Sequence, residues 1–271
     1  FNVRETPGNT DWFVHDRFGM FIHWGLYSLP ARHEWVMNHE RITNEDYKKY
    51  FDHFDPDLYD PKEWAAYAKK AGMKYAVLTT KHHEGFCLFD SEYTDFKATN
   101  TKAGRDLVKE YVDAFRAEGI KIGFYYSLLD WHHPDFTIDY HHPRRDDTKE
   151  EIERFNKGRD MKRYAQYIRD QVTELLTNYG KIDLLWFDFS YVKGKDDWES
   201  EKLIKLIRSI QPEIIINNRL GIDQDIWTPE QYQPEEWITD DKGQRVVWEG
   251  CQTFSGSWGY HRDEKTWKSP E

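Results

Sequence analysis

The stretch "KIDLLWFDFSY" (181–191) runs four apolar residues into one acid, Asp188. Such an acid is either a cap for the next element or a carboxylate delivered by a strand to a reaction site. Trp186 lies two residues earlier, so it shares the strand face of Asp188. Other reactive side chains end similar runs: His23 and Trp24 in "FIHWG", His82 and His83 in "TTKHHEGF", and Tyr125 in "FYYS". Arg219 closes "NNR", and Glu249 follows Trp248. Glu34 and Glu230 lie in connecting segments. Three chemistries compete for such a set. A metal hydrolase would use the histidines, but no H-x-H or H-E-x-x-H spacing occurs, and adjacent histidines on a strand point to opposite faces. A binding module needs the aromatics and no paired acid. A retaining glycosidase needs two carboxyl groups about 5–5.5 Å apart, ringed by donors to sugar hydroxyls. The last uses most of what is present.

These side chains need a scaffold that brings them to one rim. Strand patterns occur at 18–24, 74–80, 121–127, 183–189, 213–218 and 246–254, short and lacking clean polar alternation. That suits strands covered on both faces. Helical patterns lie between them at 60–72, 105–119, about 150–180 and 197–212, several closed by Gly. Alternating strands and helices without a G-x-G-x-x-G turn predict an α/β fold, a (β/α) barrel rather than a dinucleotide-binding sheet. In such a barrel the strand C-termini form the active face. The terminal "SPE" reads as a helix start with Ser269 as N-cap, so the sequence is expected to continue beyond it. A chain beginning at Phe1 rather than Met is expected to have lost an N-terminal segment.

Composition narrows the classes. The 271 residues include 12 Trp, 17 Tyr and 16 Phe, more rings than a core usually needs, and rings suit sugar faces. The formal charge of −11 argues against nucleic acid and against an anionic membrane surface. Cys87 and Cys251 form no C-x-x-C pair and read as buried thiols, and nothing approaches a membrane-spanning run.

"FGMFIHWGLYS", "TTKHHEGFCLFDSEYTDF", "GFYYSLLDW", "DLLWFD" and "SWGY", in this order over nearly the whole chain, resemble the α-L-fucosidases of glycoside hydrolase family 29. The resemblance implies an irregular TIM-like barrel, here residues 1–271, with the family's C-terminal β-sandwich outside the sequence. It implies hydrolysis of terminal α-L-fucose from glycans or glycoconjugates with retention, through a covalent intermediate and without cofactor or metal. It further implies a secreted or periplasmic location, lysosomal in a eukaryote. Asp188 falls on the nucleophile. His23, Glu34, Trp35, His82, His83, Tyr125, Trp186 and Arg219 fall on fucose-binding positions, with Trp24 beside them. The acid/base falls on Glu230 of "TPE", on a loop free to reach the glycosidic oxygen, or on Glu249 of "WEGC"; Glu34 is a weaker third candidate. Asp188 must be ionised, and the histidines and Arg219 are expected to keep it so. The loop "HHPDFTIDYHHPRR" (132–145) is placed near the leaving group or, equally, in solvent. The competing class is a catalytically silent, lectin-like fucose-binding barrel.

Overall fold

The computed structural model describes residues 3–270. Strands β1 (Gly19–Ile22), β2 (Tyr75–Lys81), β3 (Lys121–Ser127), β4 (Leu184–Asp188) and β5 (Ile215–Ile216) form a parallel sheet in sequence order. Strands β6 (Ile226–Trp227) and β7 (Val247–Trp248) make a second parallel pair. A bridge between Asn217 and Ile226 carries the pairing from β5 to β6. The six strands read from the sequence are all present; β6 is too short to show a pattern.

Helices α1 (Asp11–Asp16), α2 (Val36–His39), α3 (Asn44–Asp52), α4 (Pro61–Lys70), α5 (Leu107–Ala117), α6 (Lys149–Asn156), α7 (Met161–Thr177) and α8 (Ser200–Ile210) lie between or before the strands. Local chemistry fixes their ends. Asp60 caps α4 through the amides of Lys62 and Glu63, with Pro61 in the first turn. The pattern at 150–180 divides into α6 and α7, because Gly158 takes a positive φ of 83° and Asp160 starts a new cap. No helix begins at Ser269 or Pro270; the rest of that expectation, Glu271, lies outside the described residues.

Strand alternation builds two cores. Ala76, Leu78, Phe124, Tyr126, Leu185 and Phe187 face the helices and pack with Val108, Tyr111, Phe115, Ile168, Val172 and Ile207. Tyr75, Val77, Tyr125, Leu184, Trp186 and Ile215 face the other way and share an interior with Phe13 and Ile226. Side chains join distant strands across that interior. Phe21 on β1 meets Trp186 on β4 edge-on at 5.2 Å, and the Tyr75 hydroxyl donates to Glu249, just after β7, at 2.5 Å. The strands therefore curve around a filled centre, an irregular (β/α) barrel. Fully burying each large side chain contributes about 1.5–3 kcal/mol.

Asp225, buried before β6, ties three elements together. It accepts from the Gly8 amide at 2.8 Å, the Ile216 amide at 2.8 Å and the Arg208 guanidinium at 2.6 Å.

Candidate active site

The strand C-termini and the segments after them enclose a cavity of about 230 Å³. That is smaller than the roughly 300–1,000 Å³ typical of drug-sized ligands and suits one small ring. His23, Glu34, Trp35, His82, His83, Tyr125, Trp186, Asp188, Arg219 and Glu230 line it, as do Phe21, Phe189, Tyr191 and Trp258. Two sequence candidates lie elsewhere. Trp24 packs among Phe54, Tyr59 and Trp64 on the helix side. It neighbours His23 on an extended backbone, so its side chain takes the opposite face. Glu249 lies outside the cavity wall, fully engaged by Trp186 Nε1 at 2.9 Å and the Tyr75 hydroxyl.

Asp188 ends β4 and is buried. Tyr125, its neighbour across the sheet face, donates its hydroxyl at 2.8 Å, and Arg219 donates a guanidinium N–H at 2.8 Å. The Phe189 amide adds a third donor at 3.1 Å. Phe189 holds a left-handed backbone at φ 66°, costly for a bulky residue. That sharp turn ends the strand at the carboxylate. A second guanidinium N–H of Arg219 donates to Glu230 at 2.9 Å, and Trp258 Nε1 donates to the other Glu230 oxygen at 3.1 Å. Arg219 also lies over the Trp186 ring, 4.4 Å from its centroid. The Glu230 main chain is not free: Gln231 N donates to Cys251 O at 3.0 Å, and Cys251 N donates to Pro229 O at 3.0 Å. This short parallel bridge corrects the expectation of a loose loop.

The histidines also depart from expectation. His82 and His83 lie 4.0 Å apart, centroid to centroid, and both line the cavity. Strict alternation fails there because β2 ends at Lys81 and the chain turns through Gly85 at φ 83°. His83 Nδ1 pairs with Ser127 Oγ at 2.6 Å. His23 Nδ1 and His82 Nδ1 are buried without a hydrogen-bond partner among the described residues. Such orphaned polar atoms are costly unless water or a ligand meets them. Burial pushes His23 down to about 4 and holds His82 and His83 well below the usual imidazole range. All three are therefore neutral near pH 7 and add no positive charge beside Asp188. Burial raises the Asp188 carboxyl; Arg219 and Tyr125 oppose that rise, and the charge of Glu230 adds to it. Ionisation of Asp188 thus depends on Arg219 and Tyr125, not on imidazolium.

Glu34 is buried and accepts from the Gly259 amide at 2.8 Å and Ser257 Oγ at 3.0 Å. It thereby fixes the segment bearing Trp258, which stacks on His23 at 5.1 Å. Trp258 is the principal wall residue that the site candidates omitted, although it lies within the quoted "SWGY". No strand or helix pattern surrounds it to signal a role. Among the described residues no cluster of three or more His, Cys, Asp or Glu could hold a metal ion.

A (β/α) barrel with acids, one guanidinium and neutral imidazoles around a ring-sized cavity belongs to the barrel class that carries its site at the strand C-termini. The chain belongs to the alpha-L-fucosidase family, whose model matches residues 3–271. A solved alpha-L-fucosidase isoenzyme 1 from Paenibacillus thiaminolyticus is 54% identical with a TM-score of 0.91, covering 96% of this chain and 64% of that one. A family 29 alpha-L-fucosidase from Bacteroides thetaiotaomicron, solved as a trapped covalent intermediate with 2-fluoro-fucosyl fluoride, is 30% identical. Its TM-score is 0.82, with 99% of this chain and 65% of that chain covered. The human tissue alpha-L-fucosidase is 30% identical over 93% of this chain and 55% of its own length. The chain thus spans little more than half of that relative. No helix among the described residues is long and apolar enough to cross a membrane.

Proposed function

We propose that this barrel, residues 1–271, removes terminal α-L-fucose from glycans or glycoconjugates with retention of configuration. Asp188 attacks the anomeric carbon, and the glycosidic oxygen leaves with a proton from Glu230. Water then gives its proton to Glu230 and displaces Asp188 from the sugar. The observation that carries this reading is the Arg219 fork, which contacts Asp188 and Glu230 at 2.8 and 2.9 Å. One planar guanidinium joins the two carboxylates, so the pair that a retaining enzyme needs stands at one end of the cavity. The covalent intermediate trapped in the Bacteroides relative supports the same course. Glu249 acts through Trp186 as a positioning residue. His23, His82 and Glu34 address sugar hydroxyls, since a neutral imidazole can donate from one nitrogen and accept at the other. Phe21, Phe189 and Trp258 offer apolar surface to the fucose methyl group. The location that goes with this reading is secreted or periplasmic, or lysosomal in a eukaryote.

A chromogenic α-L-fucoside tests the activity. Asp188→Ala should lower turnover by at least about a thousandfold, with partial rescue by azide. Glu230→Ala should spare an aryl fucoside with a good leaving group far more than a natural fucoside, and Glu249→Ala should not separate the two. Near-normal turnover by Asp188→Ala would remove the nucleophile assignment. Fucose binding without release by the unaltered protein would favour a silent, lectin-like barrel.

A further inference from the structure

From Phe189 and Tyr191 in its wall, the cavity opens onto a run of rings at its rim. Tyr191, 65% exposed, stands at the rim, and Phe189 lies 5.2 Å from it. His141 meets Phe189 at 5.2 Å and Tyr191 at 6.3 Å, and Tyr140, 57% exposed, meets His141 at 4.5 Å. The shelf is built from the segments after β3 and β4, which are tied together. Lys193 Nζ donates to Thr137 Oγ1 at 2.7 Å and lies over the Phe136 ring at 5.0 Å. Asn38 Nδ2 donates to the His141 carbonyl and pins the shelf from the other side. The arginines of this loop are engaged by protein: Arg144 pairs with Asp147, and Arg145 contacts the Asn38 and His142 carbonyls. Tyr191 is within electrostatic reach of Asp188, Arg219 and Glu230 alike; burial first, then the Asp188 charge, pushes its hydroxyl up to about 12.

We propose that Tyr140, His141 and Tyr191 form a leaving-group subsite that stacks on the second ring of the substrate, a hexopyranose carrying the terminal sugar. The inference rests on reading the cavity as the seat of that terminal sugar. A pyranose presents a C–H face to aromatic rings and hydroxyls at its edge. The shelf supplies flat surface together with two phenols and a neutral imidazole. Tyr140 and Tyr191 are exposed, and the half-buried His141 between them packs on Phe189 of the cavity wall. The shelf is therefore continuous with the cavity, and much of it is in place before the second ring arrives.

The test compares kcat/KM on α-L-fucosyl fluoride, which has no second ring, with kcat/KM on fucosyl-galactose and fucosyl-N-acetylglucosamine disaccharides. Tyr140→Ala and His141→Ala should each lower the disaccharide-to-fluoride ratio by about tenfold on the best disaccharide, while Tyr140→Phe keeps it. Melting curves verify that each variant is folded. An unchanged ratio in both alanine variants overturns the subsite. So does a protein that turns over the fluoride and neither disaccharide. Failure on all three substrates defeats the fucosidase reading instead. In that case saturation-transfer NMR with methyl glycosides of the two second sugars decides the shelf alone. Saturation that Tyr140→Ala abolishes supports it, and no saturation, or saturation that survives, overturns it.

Discussion

At the scale of single residues, the centre of the site is a carboxylate whose charge is maintained against its surroundings. Burial raises Asp188, and the Tyr125 hydroxyl is one of the two side chains that hold it down. In the proposed mechanism the acid limb of the kcat/KM profile reports ionisation of this group in the free protein. That limb should lie above the ordinary aspartate range. Tyr125→Phe deletes a donor to the charged form, so the limb should move further up, with activity falling mainly on its acid side. A limb that stays in place when pH profiles of the two proteins are overlaid would show that another group sets it. Asp188, Trp186 and Tyr125 were legible in the sequence because they sit at the ends of apolar strands, where alternation assigns faces. The face of Trp24 follows from the same rule once His23 is placed inward. Trp258 and Tyr191 were less legible, for they occupy irregular segments where no period applies and only tertiary packing assigns direction.

At the scale of elements, the long strands and the helices were readable from composition and caps, whereas the short second half of the sheet was not. Strand β6 has two residues and depends on Asp225, whose carboxylate joins the N-terminal segment at Gly8, helix α8 at Arg208 and strand β5 at Ile216. Removing it leaves the Gly8 and Ile216 amides without their acceptor and takes from the Arg208 guanidinium its carboxylate partner. Asp225→Ala should therefore destabilise the fold by roughly 3–5 kcal/mol, seen as a lower chemical-denaturation midpoint. The β5–β6 edge leads directly to Arg219 and Glu230. Loss of activity below the melting transition should accompany the lower midpoint. A shift under about 0.5 kcal/mol would mean that the knot is dispensable. The division between α6 and α7 was hidden for a related reason. Hydrophobic spacing continues through a single glycine, and only the capping chemistry of Asp160 marks the break.

At the scale of the whole molecule, one buried acid makes folding sensitive to pH. Glu84 follows the paired histidines, accepts from the Leu26 amide at 3.1 Å and from the Tyr47 hydroxyl, and so links three segments beneath the site. Burial lifts it from 4.5 to about 8. Because the folded value is the higher one, its protonated form stabilises the fold fully below about 4.5, and that contribution is lost as pH rises through about 8. Across this window the unaltered protein should lose up to about 1.4 kcal/mol per pH unit relative to Glu84→Gln. Denaturation midpoints of both proteins at several pH values measure the difference. Parallel curves would show that Glu84 does not titrate there.

The clamped main chain at Glu230 has a consequence for time. Its neighbours Pro229 and Gln231 are both hydrogen-bonded to Cys251, which holds the backbone beneath the carboxylate. In the proposed cycle the proton donor can change partners only by turning about its own side-chain bonds. Exposed side chains make such turns in picoseconds to nanoseconds, while loops that open and close take microseconds or longer. Opening and closing of the Glu230 backbone would then not time the cycle, and turnover would be set by bond making and breaking or by departure of the freed sugar.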